Sequence, residues 1–208
     1  MAVYTKISKN NLISIDRKFN LGKIISFRGI KKGIENTNYL IRTKNNKYIL
    51  TIFEKRVQKK DLPFFMSLMD KLNNLKINCP KPQKSKKGNY LVNIKNKPAS
   101  IVSFVEGKEK NKLKIKDCYE IGKNIAKLHK ISKKINLYRK NSMSLSAWPK
   151  ILNKIGNKCK NIDVNLKEMM KTSLKDIKNM WPKKLSSGII HGDLFIDNIF
   201  FRNNKFYG

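Results

Sequence analysis

The chain has 208 residues, 47 lysines and arginines against 14 aspartates and glutamates, and a formal net charge of +33. This length suffices for one large domain or two small lobes and excludes a peptide-scale module. The sequence shows no charged-then-apolar leader pattern and no run of about 18 apolar residues, so we predict neither secretion nor a membrane-spanning segment. The expected compartment is the cytoplasm.

The positive charge could indicate a nucleic-acid or anionic-membrane partner. Nearly all of it is lysine, spread along the whole chain beside many Asn and Ile residues. Proteins that read nucleic acids usually concentrate charge on one element and use arginine for paired hydrogen bonds. This even spread of Lys, Asn and Ile is instead what a genome rich in A and T produces. We therefore expect no nucleic-acid partner and no membrane partner. No pattern predicts an oligomeric state.

The three cysteines, Cys79, Cys118 and Cys159, are odd in number and far apart. This spacing argues against a disulfide framework or a zinc site. We expect them to be small side chains that are at least half-buried.

Residues 21–53 alternate apolar runs with turn signals. The runs LGKIISFRGI, YLIRT and KYILTIF are joined by KKGIENTN and KNN, which predicts antiparallel strands connected by hairpins. Residues 61–76 change to helical spacing, with Asp61 as the N-cap and Pro63 in the first turn. After a loop rich in Pro and Lys, YLVNI and PASIVSFVEG predict two further strands. The first part is therefore a sheet of about five strands that carries one helix.

From Lys108 onward the pattern is mostly helical, which places a boundary near Gly107. Asp117 followed by Glu120 resembles a capping box in front of apolar residues at helical spacing. A second helix is predicted within residues 162–181. The strand signal then returns at Ile189 and Ile190 and again in a hairpin made of NIFF, RNN and KFYG.

A polar turn, HGDLFIDN, separates these last two strand signals. His191-Gly192-Asp193, with Asn198 five residues after the aspartate, resembles the catalytic-loop signature of the aminoglycoside phosphotransferase and choline kinase family, small-molecule relatives of the protein kinases. Seven stretches in order are similar to the homoserine kinase branch of that family: MAVYT, GIENTNYLI, YILTIFEKRV, DLPFFMSLMDKL, NCPKP, IVSFVEG and HGDLFIDNIFF.

The resemblance implies an α+β, two-lobed protein-kinase-like fold. Residues 1–107 would form an N-terminal antiparallel β-sheet lobe with one helix, ending in a hinge. Residues 108–208 would form an incomplete helical C-terminal lobe that contains the catalytic loop. The resemblance also implies ATP and Mg²⁺ as cofactors and L-homoserine as the small-molecule substrate, phosphorylated to O-phospho-L-homoserine in threonine biosynthesis.

Phosphoryl transfer requires a carboxylate that orients the acceptor hydroxyl and takes its proton, and ligands that hold Mg²⁺ on the nucleotide phosphates. The resemblance assigns the first role to Asp193 and the second to the amide oxygen of Asn198. We expect His191 to hydrogen-bond within the loop and hold Asp193 in place. The alternatives are a capping role for an aspartate in a polar turn and a structural role for the histidine. Asp197 is expected to be mainly a turn or capping residue.

The resemblance places ATP in a cleft between the lobes. Ser103, Phe104 and Val105 would form the hinge that presents backbone N–H and C=O groups to adenine. The turn GIENTN would cover the phosphates, with Asn36 and Asn38 tolerating unusual backbone geometry there. An ordinary hairpin turn is the competing interpretation of that segment.

Two departures from the family concern charged groups. Related kinases carry a lysine on the third strand, where this sequence has Thr51, with Lys55 and Arg56 further on. The phosphate-binding cation is therefore left unassigned. The usual glutamate partner on the following helix is also missing. Glu35 or Glu54 could substitute, and either could equally be a surface charge.

A third departure concerns the end of the sequence. In the family a strand after NIFF carries a second aspartate that binds Mg²⁺, and this sequence stops at Gly208. The resemblance therefore implies an N-terminal fragment, which we expect to be inactive and poorly stable by itself. Two other functions remain open: a phosphotransferase for choline, a methylthio sugar or an aminoglycoside, and a basic nucleic-acid-binding module without catalysis.

Overall fold

The computed structural model describes residues 3–31, 35–54 and 57–208. Five strands form one antiparallel sheet in the order β1-β2-β3-β5-β4. The strands are β1 (Ile24–Gly29), β2 (Thr37–Thr43), β3 (Lys47–Ile52), β4 (Leu91–Ile94) and β5 (Lys97–Ser103). This sheet confirms the strands predicted from the alternating apolar runs.

The register of β2 and β3 decides which side chains reach each face of the sheet. Tyr39 lies opposite Leu50, and Asn38 lies opposite Thr51. Because side chains alternate along a strand, the first pair faces one side and the second pair faces the other. Tyr39 and Leu50 are buried in the main apolar core, which leaves the opposite face for Asn38 and Thr51.

The core is completed by α1 (Lys9–Lys18), a helix that the sequence patterns did not predict. Its residues Leu12 and Ile15 pack in the same cluster as the sheet residues. The helix begins with a capping box in which the Asn11 N–H donates to Ser8 Oγ at 3.3 Å and the Ser8 N–H donates to Asn11 Oδ1 at 2.9 Å. The first part of the chain thus carries two helices instead of one.

The second of these helices, α2 (Leu62–Asn74), confirms the helix predicted between residues 61 and 76. Leu62, Met66 and Leu72 are its buried residues. Asp61 is the N-cap residue, as predicted, but its side chain makes no capping hydrogen bond. A three-residue 3-10 turn, Lys59–Asp61, leads directly into the helix instead.

Helix α3 (Ile115–Ser132) packs against a hairpin made of β6 (Phe201–Arg202) and β7 (Lys205–Phe206). Ile121 from the helix shares a buried cluster with Ile199 and Phe201. The hairpin turn consists of Asn203 and Asn204, both with positive φ, which is the conformation that a two-residue turn requires.

The start of α3 differs from the prediction. Asp117 is the third residue of the helix and not its cap, and its Oδ2 accepts a hydrogen bond from the Lys114 N–H at 3.0 Å. Its Oδ1 pairs with Lys110 Nζ at 2.7 Å, and that ammonium lies 4.2 Å from the ring centroid of Phe201. The Asp117 carboxylate therefore links the helix to Lys110, which in turn contacts Phe201 of the hairpin.

The contacts group Met1–Leu137 with Gly188–Gly208 as one compact unit and Tyr138–Ser187 as a second. The second unit contains α4 (Trp148–Ile155) and α5 (Leu166–Met180), which confirms the helix predicted within residues 162–181. The rings of Trp148 and Trp181 meet edge to face at 5.8 Å. The boundary near Gly107 stays a prediction.

Three further outcomes concern local structure. Ile189 and Ile190 are not in a strand, since no neighbouring segment of the described chain pairs with them.

Cys159 is buried and Cys79 half-buried as expected, but Cys118 is exposed. Within the three described ranges, none of the helices has both the length and the apolar character needed to cross a lipid bilayer.

Candidate active site

The loop at residues 191–198 is folded back on itself by its own hydrogen bonds. Gly192 has a φ of +78°, in the left-handed region that favours glycine. The Phe195 N–H donates to the Asp193 main-chain oxygen at 3.1 Å, and the Asn198 N–H donates to the Phe195 oxygen at 2.9 Å. The loop therefore returns Asn198 to the side of Asp193.

The side chain of Asn198 also hydrogen-bonds to Asp193. Its Nδ2 donates to the main-chain oxygen of Asp193 at 2.8 Å and to the carboxylate Oδ2 of the same residue at 3.3 Å. Because Nδ2 is the donor in both bonds, Oδ1 is the atom of the amide that remains for a ligand. Both side chains are exposed to solvent.

A cleft of about 510 Å³ joins this loop to the start of β2. Its size lies within the range of small-molecule sites. The residues that line it are Glu35, Asn36, Asn38, Asp193, Phe195, Asp197 and Asn198. Four residues predicted from the sequence thus share one cleft: Asn36 and Asn38 from the β2 side, and Asp193 and Asn198 from the loop.

Residues 26–208 match the model of the phosphotransferase enzyme family. The chain belongs to this family. The homoserine kinase of Methylocella silvestris is 38% identical over 208 residues, and that of Agrobacterium fabrum is 36% identical over 208 residues. Each alignment covers all of this chain and 65% of the relative, so the chain spans less than two thirds of the relatives' length.

A solved structure confirms the fold. A spectinomycin phosphotransferase, crystallised in complex with ADP and spectinomycin, superposes with a TM-score of 0.69 at 14% sequence identity. The match covers 98% of this chain and 68% of that one. The antiparallel sheet with helices is therefore the fold that the resemblance implied.

In the cleft, neighbouring residues orient both asparagines of the β2 side. Thr51 Oγ1 donates to Asn38 Oδ1 at 2.8 Å, and the Glu54 N–H donates to Asn36 Oδ1 at 3.3 Å. Their amide oxygens are thus engaged, and no residue in the described ranges accepts a hydrogen bond from either Nδ2. Two N–H donors are available at the cleft, which suits phosphate or carboxylate oxygens.

Thr51, which the resemblance matches to a lysine of related kinases, orients Asn38 here. The other cations considered from the sequence, Lys55 and Arg56, lie outside the described residues, as does Gly33 of the turn. The cation that the resemblance implies for phosphate binding therefore stays unassigned.

The predicted hinge lies at the end of β5 and does not line the cleft described above. The Ser103 N–H donates to the Lys81 oxygen at 2.8 Å, and the Phe104 N–H donates to the Lys47 oxygen at 3.0 Å. Both groups are therefore occupied by the protein's own backbone. In the parts of the chain that are described, nothing accepts a hydrogen bond from the Val105 N–H. Of the three predicted residues, Val105 keeps a donor for a ligand.

His191 differs from its predicted role in the loop, whereas Asp197 keeps its role. His191 is exposed, and its ring makes no hydrogen bond to any described residue, so the predicted tether to Asp193 is not seen. Asn198 forms that tether instead. Asp197 belongs to the 3-10 turn Ile196–Asn198, as expected of a turn residue, and it also lines the cleft.

Glu54 is the buried charged residue that the sequence left undecided. Its side chain is 9% exposed and forms an ion pair with Lys97, which excludes the interpretation as a surface charge. Burial would raise the pKa of Glu54. Hydrogen bonds from Lys97, Thr37 and Thr5 outweigh burial and hold that pKa below its ordinary value. No local spacing signals this pair, because its members are 43 positions apart.

Proposed function

We propose that this protein is an ATP-dependent kinase that transfers the γ-phosphate of ATP to the hydroxyl of L-homoserine. The product would be O-phospho-L-homoserine, for threonine biosynthesis in the cytoplasm, where ATP and free amino acids are found. The two relatives named homoserine kinase support the choice of acceptor. The observation that carries the proposal is the single cleft lined by Asn36, Asn38, Asp193 and Asn198.

Asp193 is the proposed general base. The hydrogen bond from Asn198 Nδ2 to its Oδ2 fixes the orientation of the carboxylate. Oδ1 of Asp193 is then the atom that orients the homoserine hydroxyl and takes its proton as the phosphate is transferred. The exposure of this carboxylate at the cleft gives a small acceptor direct access to it.

The amide oxygen of Asn198 is the proposed Mg²⁺ ligand. The donor chemistry fits, because Mg²⁺ prefers oxygen ligands and the Asn198 Nδ2 is already engaged with Asp193. When bound, Mg²⁺ would neutralise charge on the phosphate oxygens of ATP. Asn198 thereby links the proposed base to the nucleotide phosphates.

ATP would be held by donors from two segments, the start of β2 and the residues that follow β5. The Nδ2 groups of Asn36 and Asn38 are proposed to donate to phosphate oxygens, since their amide oxygens are engaged by Glu54 and Thr51. The Val105 N–H is the proposed donor to adenine. The hydrogen bonds that Ser103 and Phe104 already make support this assignment.

A comparison of two aspartates in the same loop tests the proposal. The protein is expressed from its full reading frame, and homoserine-dependent ADP release is measured for the wild type, Asp193→Asn and Asp197→Asn. Loss of a general base lowers kcat by about 10²–10⁴-fold, so Asp193→Asn is expected to fall in that range. Asp197→Asn removes the same charge from the cleft and is expected to lose much less. Equal losses in both variants, or near wild-type activity of Asp193→Asn, would contradict the proposal.

A further inference from the structure

We propose that the ion pair between Glu54 and Lys97 is a positioning device for the nucleotide site. Neither residue lines the cleft. The pair acts on the segment that supplies Asn36 and Asn38, and through it the pair sets the affinity for ATP. This inference rests on the proposed function, because it assumes that these two asparagines contact the nucleotide.

The pair is the centre of a partly buried polar network that includes two threonine hydroxyls, with the Glu54 side chain 9% exposed and the Lys97 side chain 39% exposed. Glu54 Oε1 accepts hydrogen bonds from Thr5 Oγ1 at 2.8 Å and from Thr37 Oγ1 at 2.6 Å. Glu54 Oε2 accepts from Lys97 Nζ, which also donates to Thr5 Oγ1 at 2.7 Å. Every member of this network therefore has a partner, which is the condition for a buried charge to be tolerated.

Thr37 connects the network to the N-terminal segment. Its side chain is fully buried, and its Oγ1 accepts the N–H groups of Tyr4 at 3.0 Å and Thr5 at 3.1 Å. The Tyr39 hydroxyl donates to the Thr5 main-chain oxygen at 3.0 Å. The N-terminal segment is thus fastened to the first residues of β2.

Glu54 holds the cleft segment in two ways. Its carboxylate accepts from Thr37, which lies between Asn36 and Asn38 in the sequence, and its main-chain N–H donates to Asn36 Oδ1. Loss of the carboxylate leaves the buried Thr37 hydroxyl without its acceptor and Lys97 without its counter-charge. The segment of residues 36–38 then loses its fixed position, and both asparagine donors move with it.

A contribution to ATP binding can be separated from a contribution to stability. Replacing both members of a buried ion pair by neutral groups of similar size is often neutral or favourable for stability. The double variant Glu54→Met/Lys97→Met removes both charges and also the acceptor of the Thr37 hydroxyl. It is therefore expected to stay folded while it loses the positioning contacts. Ile101→Val is the matched control, since Ile101 is fully buried in β5 and takes no part in the network.

The experiment measures three quantities for the wild type, both single variants, the double variant and the control. They are the melting temperature, the Kd for adenosine 5′-(β,γ-imido)triphosphate by titration calorimetry, and the KM values and kcat. We expect the nucleotide Kd and the KM for ATP to rise about tenfold in each network variant, with no further rise in the double variant. The KM for homoserine and kcat should stay within about threefold of the wild type. Ile101→Val should lower the melting temperature and leave the Kd unchanged.

A nucleotide Kd within about twofold of the wild type in all three network variants would overturn the inference and leave the pair a purely structural role. If the wild type binds the nucleotide, the network variants weaken it and homoserine stimulates no ADP release, the inference stands and only the proposed acceptor is wrong. If the wild type does not bind the nucleotide at all, both proposals are wrong.

Discussion

The side chain of Asn198 donates twice to Asp193, to its main-chain oxygen at 2.8 Å and to its carboxylate Oδ2 at 3.3 Å. One amide therefore closes the loop and orients the carboxylate proposed as the base. It does so with its nitrogen alone, which leaves its oxygen for the proposed metal ion. These two functions can be separated by substitution.

Asn198→Asp keeps an oxygen ligand and removes the donor to Asp193, whereas Asn198→Ala removes both. We expect Asn198→Asp to retain a Mg²⁺-dependent activity with a lowered kcat. Asn198→Ala should lose at least a further tenfold, about 1.4 kcal/mol of transition-state stabilisation. The measurement is ADP release as a function of Mg²⁺ concentration. Equal activity and equal Mg²⁺ dependence in the two variants would show that Asn198 does not bind the metal ion.

The hinge assignment depends on one backbone N–H. Val105→Pro removes that group, and Glu106→Pro is the matched control at the next position, outside the strand. One neutral hydrogen bond contributes about 0.5–1.5 kcal/mol, so the KM for ATP should rise roughly two- to tenfold in Val105→Pro and little in Glu106→Pro. An unchanged KM for ATP in Val105→Pro would place adenine elsewhere.

Two isoleucines of α1, two positions apart in the sequence, test whether this helix is part of the core. Ile15 is 1% exposed and Ile13 is 50% exposed. Ile15→Ala should lower the free energy of unfolding by about 2–5 kcal/mol, because it leaves a cavity beneath the sheet. Ile13→Ala should change it by less than about 0.5 kcal/mol. Urea unfolding measures both, and equal effects would mean that α1 does not pack on the sheet in solution.

Two carboxylates make stability depend on pH. Hydrogen bonds from Lys110 and then from the Lys114 N–H lower the pKa of Asp117, and the network of Lys97, Thr37 and Thr5 lowers that of Glu54. A carboxylate whose pKa is lower in the folded state adds stability above its unfolded pKa, and this stability is lost as the pH falls through the folded value.

We therefore expect the urea midpoint to fall as the pH drops below 4.5, the ordinary pKa of glutamate. The fall should continue below 3.8, the ordinary value for aspartate. Glu54→Gln and Asp117→Asn should each flatten this dependence, because one titrating carboxylate is removed. Parallel curves for the wild type and both variants between pH 7 and 3 would contradict the assigned pKa directions.

The sequence predicted the elements that local patterns specify. Alternating apolar residues gave all five strands of the sheet, and the RNN turn gave the last hairpin, because Asn203 and Asn204 tolerate positive φ. The catalytic-loop resemblance also selected Asp193 and Asn198, which the structure shows in contact with each other. These features depend on contacts within a few residues.

The elements that the sequence did not predict depend on distant contacts. Helix α1 has few apolar residues, and Leu12 and Ile15 gain their partners only when the sheet has formed. The pair of Glu54 and Lys97 exists because β3 and β5 are neighbours in the sheet, which no local spacing reveals. The pattern of Asp117 followed by Glu120 predicted a cap, whereas the partner that Asp117 has in the structure, Lys110, lies seven positions before it and outside the helix.

Coupled ADP release with four acceptors tests the central claim most directly. The 208-residue chain and the product of its full reading frame are each offered L-homoserine, choline, a methylthio sugar and an aminoglycoside, with ATP and Mg²⁺. The account predicts that the product of the full reading frame strongly prefers homoserine and loses this activity in Asp193→Asn. A preference for another acceptor, or release that is unaffected by Asp193→Asn, would contradict it.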